Sequence, residues 1–232
     1  MKLLQVFYAP EELFAAVGKT ASWRLPFIAY ILLTLVMTIA NTSLVDQGAV
    51  LRAQLESSPR IAEQLGQERI DQMAREANSP AARVRACIVA PISSALVALI
   101  VAGVFFGLAH VVSAGTTYKK VVAVTAYSLF AYGLVAGAGG LIVILMMGDP
   151  SGAEMTNLIK LNPTLFMDRA SVSKALYSIA SSLDLLSFWL VFLLGLGISK
   201  VSVGMSLTKG LVVVIIPWVV YVLGKAGIAS LF

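Results

Sequence analysis

Five runs of the chain, at residues 25–45, 88–113, 121–147, 185–199 and 211–231, are apolar and nearly free of charge. Between them stand shorter polar stretches in which apolar residues return at helical spacing. Crossing a hydrocarbon layer about 30 Å thick takes roughly 20 apolar residues of helix. In lipid every backbone N–H and C=O must find a partner, which a helix supplies from within itself. The pattern therefore predicts an all-α fold: a polytopic integral membrane helical bundle with five transmembrane helices and short amphipathic or extramembrane helices.

Residues 1–24 read as a cytoplasmic, interfacial helix. Pro10 suits a first helical turn, Glu11 and Glu12 suit the positive end of the helix dipole, and Gly18 offers a stop. Leu13, Phe14 and Val17 then share one face, the pattern of a helix lying on a membrane surface, with a helix that docks on a protein partner as the alternative. Glu11 and Glu12 interrupt what would be the basic region of a cleavable signal, so the first apolar run reads as an uncleaved anchor.

Two longer extramembrane segments are expected to be helical, at residues 46–87 and 148–184. In the first, Ser57-Ser58-Pro59 is a start signal, Ile61, Leu65, Met73 and Ala77 recur at helical spacing, and Asn78-Ser79-Pro80 ends one helix and begins another. That next helix is expected to run from Pro80 through the second apolar run, with Pro91 as a kink. The segment reads as a solvated cap or as a docking helix. In the second, Asp149-Pro150-Ser151-Gly152 and Asn162-Pro163-Thr164 are turns, and residues 171–182 are helical. Leu158, Ile159, Leu161, Leu165, Phe166 and Met167 suggest a lid on the outer face, with a re-entrant excursion as the alternative.

Composition excludes a soluble globule, because 59% hydrophobic and 12% charged residues cannot coat a 232-residue particle with polar surface. The formal charge of +5 does not indicate nucleic acid, since the basic residues form no tract with interleaved aromatics. Their placement follows the positive-inside bias instead. With the N-terminus inside, Lys2, Lys19, Arg24, Lys119, Lys120, Lys200 and Lys209 fall on that side, and the C-terminus lies outside. Cys87 is the only cysteine, so neither an internal disulfide nor a Cys/His metal cluster is expected.

Small residues four apart, at Gly103 and Gly107, at Gly133 and Gly137 and at Ala136 and Gly140, predict close helix packing. Two ions in the last pair of helices are the sharpest polar feature, because an ion in hydrocarbon is costly unless paired or hydrated. Asp184 lies sixteen residues before Lys200 and Lys225 sixteen after Lys209, so antiparallel helices put both about 24 Å from the connecting loop. They either form a structural ion pair or reach the headgroups separately. His110, the lone histidine, is a candidate polar site, read first as an interhelical hydrogen-bonding group and second as a ligand or proton site.

Phe7-Tyr8-Ala9-Pro10-Glu11-Glu12-Leu13-Phe14, Gly115-Thr116-Thr117-Tyr118-Lys119-Lys120 with Val124-Thr125-Ala126-Tyr127-Ser128, Asp184-Leu185-Leu186-Ser187-Phe188-Trp189 and Gly195-Leu196-Gly197 resemble the bacterial branch of the Yip1 family. The resemblance implies a five-span membrane protein with a cytoplasmic N-terminus, placed in the bacterial inner membrane. Eukaryotic relatives act with Rab-type GTPases and reticulon-like proteins, but their extended cytoplasmic N-terminal region has no counterpart here. The chain carries no HExxH, GxSxG or Walker pattern and no paired carboxylates in a span. The expectation is a non-enzymatic scaffold or membrane-organising protein without catalytic residues, cofactor or metal, in contact with lipid and with a membrane protein or a second copy. Transport of a small solute or lipid is the alternative.

Overall fold

The computed structural model describes residues 3–56, 59–112, 115–146, 161–168 and 171–231. Within them the chain is all-α and polytopic, with eleven α-helices. These are α1 Gln5–Tyr8, α2 Pro10–Thr20, α3 Arg24–Leu44, α4 Gln47–Glu56, α5 Pro59–Leu65, α6 Gln67–Ala77, α7 Pro80–Val112, α8 Tyr118–Met146, α9 Lys174–Ser182, α10 Leu185–Val201 and α11 Leu207–Leu231. A 3-10 turn at Pro163–Phe166 precedes α9.

Four helices, α3, α7, α8 and α11, are long and apolar enough to cross a membrane. The fourth apolar run is built differently. Its helix α10 has 17 residues, only about 26 Å of rise, and joins α9 at a 54° bend. Counting that bent pair as one broken span makes five crossings.

The chain divides into two compact units. The first takes the described residues of Met1–Tyr30, Ala95–Leu134 and Lys160–Phe232. Helix α2 starts with Pro10 in its first turn, carries Glu11 and Glu12 there and Lys19 in its last turn, and ends where Ala21 turns left-handed at φ 50°. Leu13, Phe14 and Val17 are buried, so the apolar face of α2 is spent inside the protein. They join a core with Val121, Val124 and Tyr127 of α8 and Leu193, Ile198 and Val213 of α10 and α11. Phe14 meets the ring of Tyr127 edge-on at 6.5 Å, and Phe7 stacks on Trp189 at 5.9 Å.

Close helix approaches in this unit depend on glycines outside the predicted pairs. A methyl group on Gly210 would overlap the carbonyl oxygen of Gly195, and one on Gly195 would lie 3.0 Å from the Leu211 Cα. A methyl on Gly197 would strike Val124. The α10–α11 seam is thus set by backbone contact, and the α10–α8 seam by the Val124 side chain seated against Gly197.

The second unit takes the described residues of Ile31–Ser94 and Val135–Ile159. The continuous helix expected before Asn78 is interrupted at Gly66, whose φ of 74° suits only glycine and separates α5 from α6. The expected start at Ser57-Ser58 lies outside the described residues, as do the Asp149–Gly152 turn and Leu158 and Ile159 of the predicted lid. Helices α4 and α6 pack together with Ile70 and Ala74 buried. Their junction with α7 is tied by Asn78, which donates to Asp46 Oδ1 at 2.7 Å and accepts from Gly48 N at 3.3 Å. Arg52 pairs with Asp71 at 3.0 Å. Helix α7 runs 33 residues through Pro91, whose carbonyl accepts from Ser94 Oγ at 3.0 Å.

Candidate functional site

A polar cluster in the first unit lies at the break between α9 and α10. Ser173 opens α9 by accepting from Leu176 N at 3.2 Å. The helix ends in three serines, where Ser181 Oγ and Ser182 Oγ donate to the Ser178 carbonyl at 2.8 and 2.9 Å. Asp184 then caps α10, its Oδ1 accepting from Leu186 N at 2.9 Å and Ser187 N at 3.4 Å. Leu185 N donates to the Leu161 carbonyl at 3.1 Å. The first N–H groups of α10 are therefore taken by the chain itself.

Lys225 reaches this break from α11. Its Nζ donates to Ser181 Oγ at 3.1 Å and to Ser182 Oγ at 3.3 Å. The structure does not join Asp184 to Lys225 in an ion pair. Each charge sits instead at the helix end its sign favours, the carboxylate at an N-terminus and the ammonium at a C-terminus. Chemically the cluster joins a fixed anion, a fixed cation and a row of hydroxyls, with the Ser178 hydroxyl buried and unpartnered among the described residues.

The other predicted polar site is placed apart from this one. His110 is exposed near the end of α7, its Nδ1 lies 3.0 Å from the Phe106 carbonyl of the same helix, and its ring meets Phe106 at 4.3 Å. The interhelical bond expected of it is replaced by this local one. Of the predicted packing glycines, Gly137 is closely packed, since a methyl there would lie 2.7 Å from Met37 Sδ. Gly103 and Gly107 are not, because a methyl on either would meet nothing within 4 Å.

Sequence reasoning passed over Ser178, Ser181 and Ser182, although serines at i, i+3 and i+4 just ahead of a capping Asp are a readable sign of a helix end. It used Thr125 and Ser128 of α8 only as part of a resembling stretch and not for their hydroxyls, which are buried and unpartnered among the described residues. Their apolar surroundings in sequence gave no cue. Among the described residues no three His, Cys, Asp or Glu side chains converge as metal ligands would.

A model of the Yip1 domain matches residues 4–228, nearly the whole chain. The chain belongs to the Yip1 domain family. Comparison with curated proteins and with solved structures finds no match. Family and apolar helices together make this Yip1 protein an integral, multi-pass membrane protein. Its short Yip1-like stretches meet in space: Phe7 stacks on Trp189, Phe14 packs on Tyr127, and Glu11 pairs with Lys200 just beyond the Gly195-Leu196-Gly197 stretch. What the resembling stretches share is thus one docking surface, where α1 and α2 lie on α8 and α10.

Proposed function

We propose that this Yip1 protein is a non-enzymatic membrane-organising scaffold of a bacterial cytoplasmic membrane, with its N-terminus inside and its C-terminus outside. The observation that carries this reading is the docked N-terminal pair of helices. Helix α2 is fixed by Leu13, Phe14 and Val17, while Leu4 (53% exposed) and Tyr8 (73%) of the preceding segment point outward. A rigidly held, outward-facing aliphatic and aromatic pair suits insertion among headgroups, where tyrosine is favoured. The spans themselves offer mainly outer surface, since 11–22% of the most apolar window of each long helix is buried. Such surface is available to lipid, to another membrane protein or to a second copy. The orientation is supported by the seven Lys and Arg residues on the inner side, among them Lys200, which pairs with Glu11 of α2.

Reconstitution tests the reading. Vesicles loaded with the protein at fixed lipid ratio should change in diameter by cryo-electron microscopy, and the exposed-site variant L4S/Y8S should lose much of that change. An unchanged vesicle population would reject the membrane-organising role. Labelling of single cysteines placed at Lys2 and Ser230, in the Cys87→Ser background, tests the orientation.

A second reading, transport of a small solute or lipid, is favoured by the broken α9–α10 span, because discontinuous helices with charges at the break are a common way to build a midplane site. Flux across the same vesicles, lost on K225A, would move the assignment to transport.

A further inference from the structure

We propose that the cleft framed by the end of α3, by α4 and by the start of α7 is a binding site for the phosphate-bearing headgroup of an anionic phospholipid. The cavity holds about 310 Å³ and lies wholly within the second unit. That volume is at the lower end of pockets that hold small ligands. Its floor is apolar, from Val50, Leu51, Ala82 and Ala86, and its charged wall is Arg83.

Arg83 is exposed and is the one charged side chain that lines the cleft, so the partner it suits there is an anion. The Arg52 guanidinium is paired with Asp71, and the Asp46 carboxylate is held by Asn78 and the Ala49 backbone N–H. Arg83 has no ion-pair partner among the described residues. Gln47 directs its amide N–H groups to Asn41 and Val45, and Thr42 its hydroxyl to Thr38 and Ile39, so the rim is fixed by its own bonds. The guanidinium fork matches a phosphate in two-point geometry.

Position along the chain selects the lipid. Helix α3 ends its apolar run at Val45, and α7 enters its own near Ile88, so a cleft opening between Thr42 and Ala86 lies at the level of the headgroups. An apolar floor under a single cation suits a glycerophosphate whose acyl chains continue into the bilayer. Free phosphate would use the cation and leave the floor uncovered.

Arg85 supplies the internal comparison. It stands on the opposite side of α7 with Val84, Ile88 and Val89, in an open apolar groove of about 510 Å³ lined by α7 alone, whereas the Arg83 cleft is framed by several helices. General attraction of an anionic membrane would engage both arginines alike, whereas a built site depends on Arg83.

The test is native mass spectrometry of the full chain released from nanodiscs of mixed phosphatidylglycerol and phosphatidylcholine, with glycerol 3-phosphate and inorganic phosphate added in separate arms. The wild-type chain should retain phosphatidylglycerol in preference to phosphatidylcholine, R83Q should weaken retention about tenfold, the loss expected for one charge-assisted hydrogen bond, and R85Q should leave it unchanged. Equal retention by R83Q and wild type, an equal loss in R85Q, or no preference between the lipids would overturn the proposal. Occupancy by soluble phosphate without lipid retention would overturn the lipid assignment. If R83Q does not fold, A86L reads the same site by filling its floor with the charge intact, and unchanged retention there is equally fatal.

Discussion

Asp184 and Lys225 stand on opposite sides of one helix break: the carboxylate caps the first turn of α10, and the ammonium ion holds the serines that end α9. Without them the N–H groups that open α10 would lack the Asp184 acceptor, and each helix end would present half a dipole to an apolar environment. The break is thus stabilised by two separate local interactions. D184A should cost about 0.5–2 kcal/mol, the usual loss of an N-cap. Combined with K225A, the two changes should add within about 0.5 kcal/mol. Thermal unfolding of the single and double variants in detergent measures this, and a coupling well above that margin would restore the direct ion pair.

How much of this was readable beforehand differs by element. The long apolar runs announce α3, α7, α8 and α11 because crossing length and composition are properties of a single segment. Asp184 and Lys225 were also found from spacing, since depth along antiparallel helices is simple arithmetic. Their partners were not. Whether Lys225 meets Asp184 or Ser181 depends on the rotation of α11 about its axis, which a uniformly apolar helix does not encode. The same ambiguity explains the glycines. Gly103 and Gly107 have the right spacing on a face that no described residue covers closely, while Gly210 packs against Gly195 and Ser199, small residues four apart in α10 that spacing alone did not single out. The docking of α2 is the clearest case: periodicity shows an apolar face at Leu13, Phe14 and Val17, and that face serves lipid or protein equally well until Tyr127 is placed against Phe14.

Substitution by alanine separates the two classes of glycine. G210A would place a methyl group against the Gly195 carbonyl, a backbone atom that cannot swing aside, so α10 and α11 must part. A loss of about 1–3 kcal/mol is expected, as for overpacking elsewhere. G103A and G107A meet open space and gain helix propensity, up to about 1 kcal/mol each. Melting temperatures in one detergent should rank G107A at or above wild type and G210A below it. The reverse order would mean that the α7 face, and not the α10–α11 seam, is the tight contact.

Acid should loosen the junction of α4 with α7. The Asn78 side-chain amide, followed by the Ala49 backbone N–H, holds the Asp46 carboxyl below its ordinary value of 3.8. A group whose folded pKa is depressed adds stability above its unfolded pKa and loses it as the pH falls through the folded value. The contribution is therefore complete near neutrality and declines below about pH 4. Hydrogen exchange at Gly48 and Ala49 should accelerate over that interval in the wild type and be fast at every pH in D46N. A pH-independent rate in the wild type would show that Asp46 does not hold the turn.

The attachment of α2 is predicted to rest on apolar burial and not on its ion pair. Glu11 and Lys200 are paired, but their side chains are 68% and 34% exposed. Pairs of that kind contribute about 0–1 kcal/mol. Phe14 is fully buried beside Tyr127, and removing a buried phenyl ring costs about 3–5 kcal/mol. Trypsin offers a direct readout, because Lys19 and Arg24 flank the end of α2 and the turn after it. F14A should speed cleavage at both positions severalfold, and E11Q should change it little at moderate salt. If E11Q released the helix as readily as F14A, electrostatics would be the anchor, and α2 would then detach as ionic strength rises, a behaviour the buried face argues against.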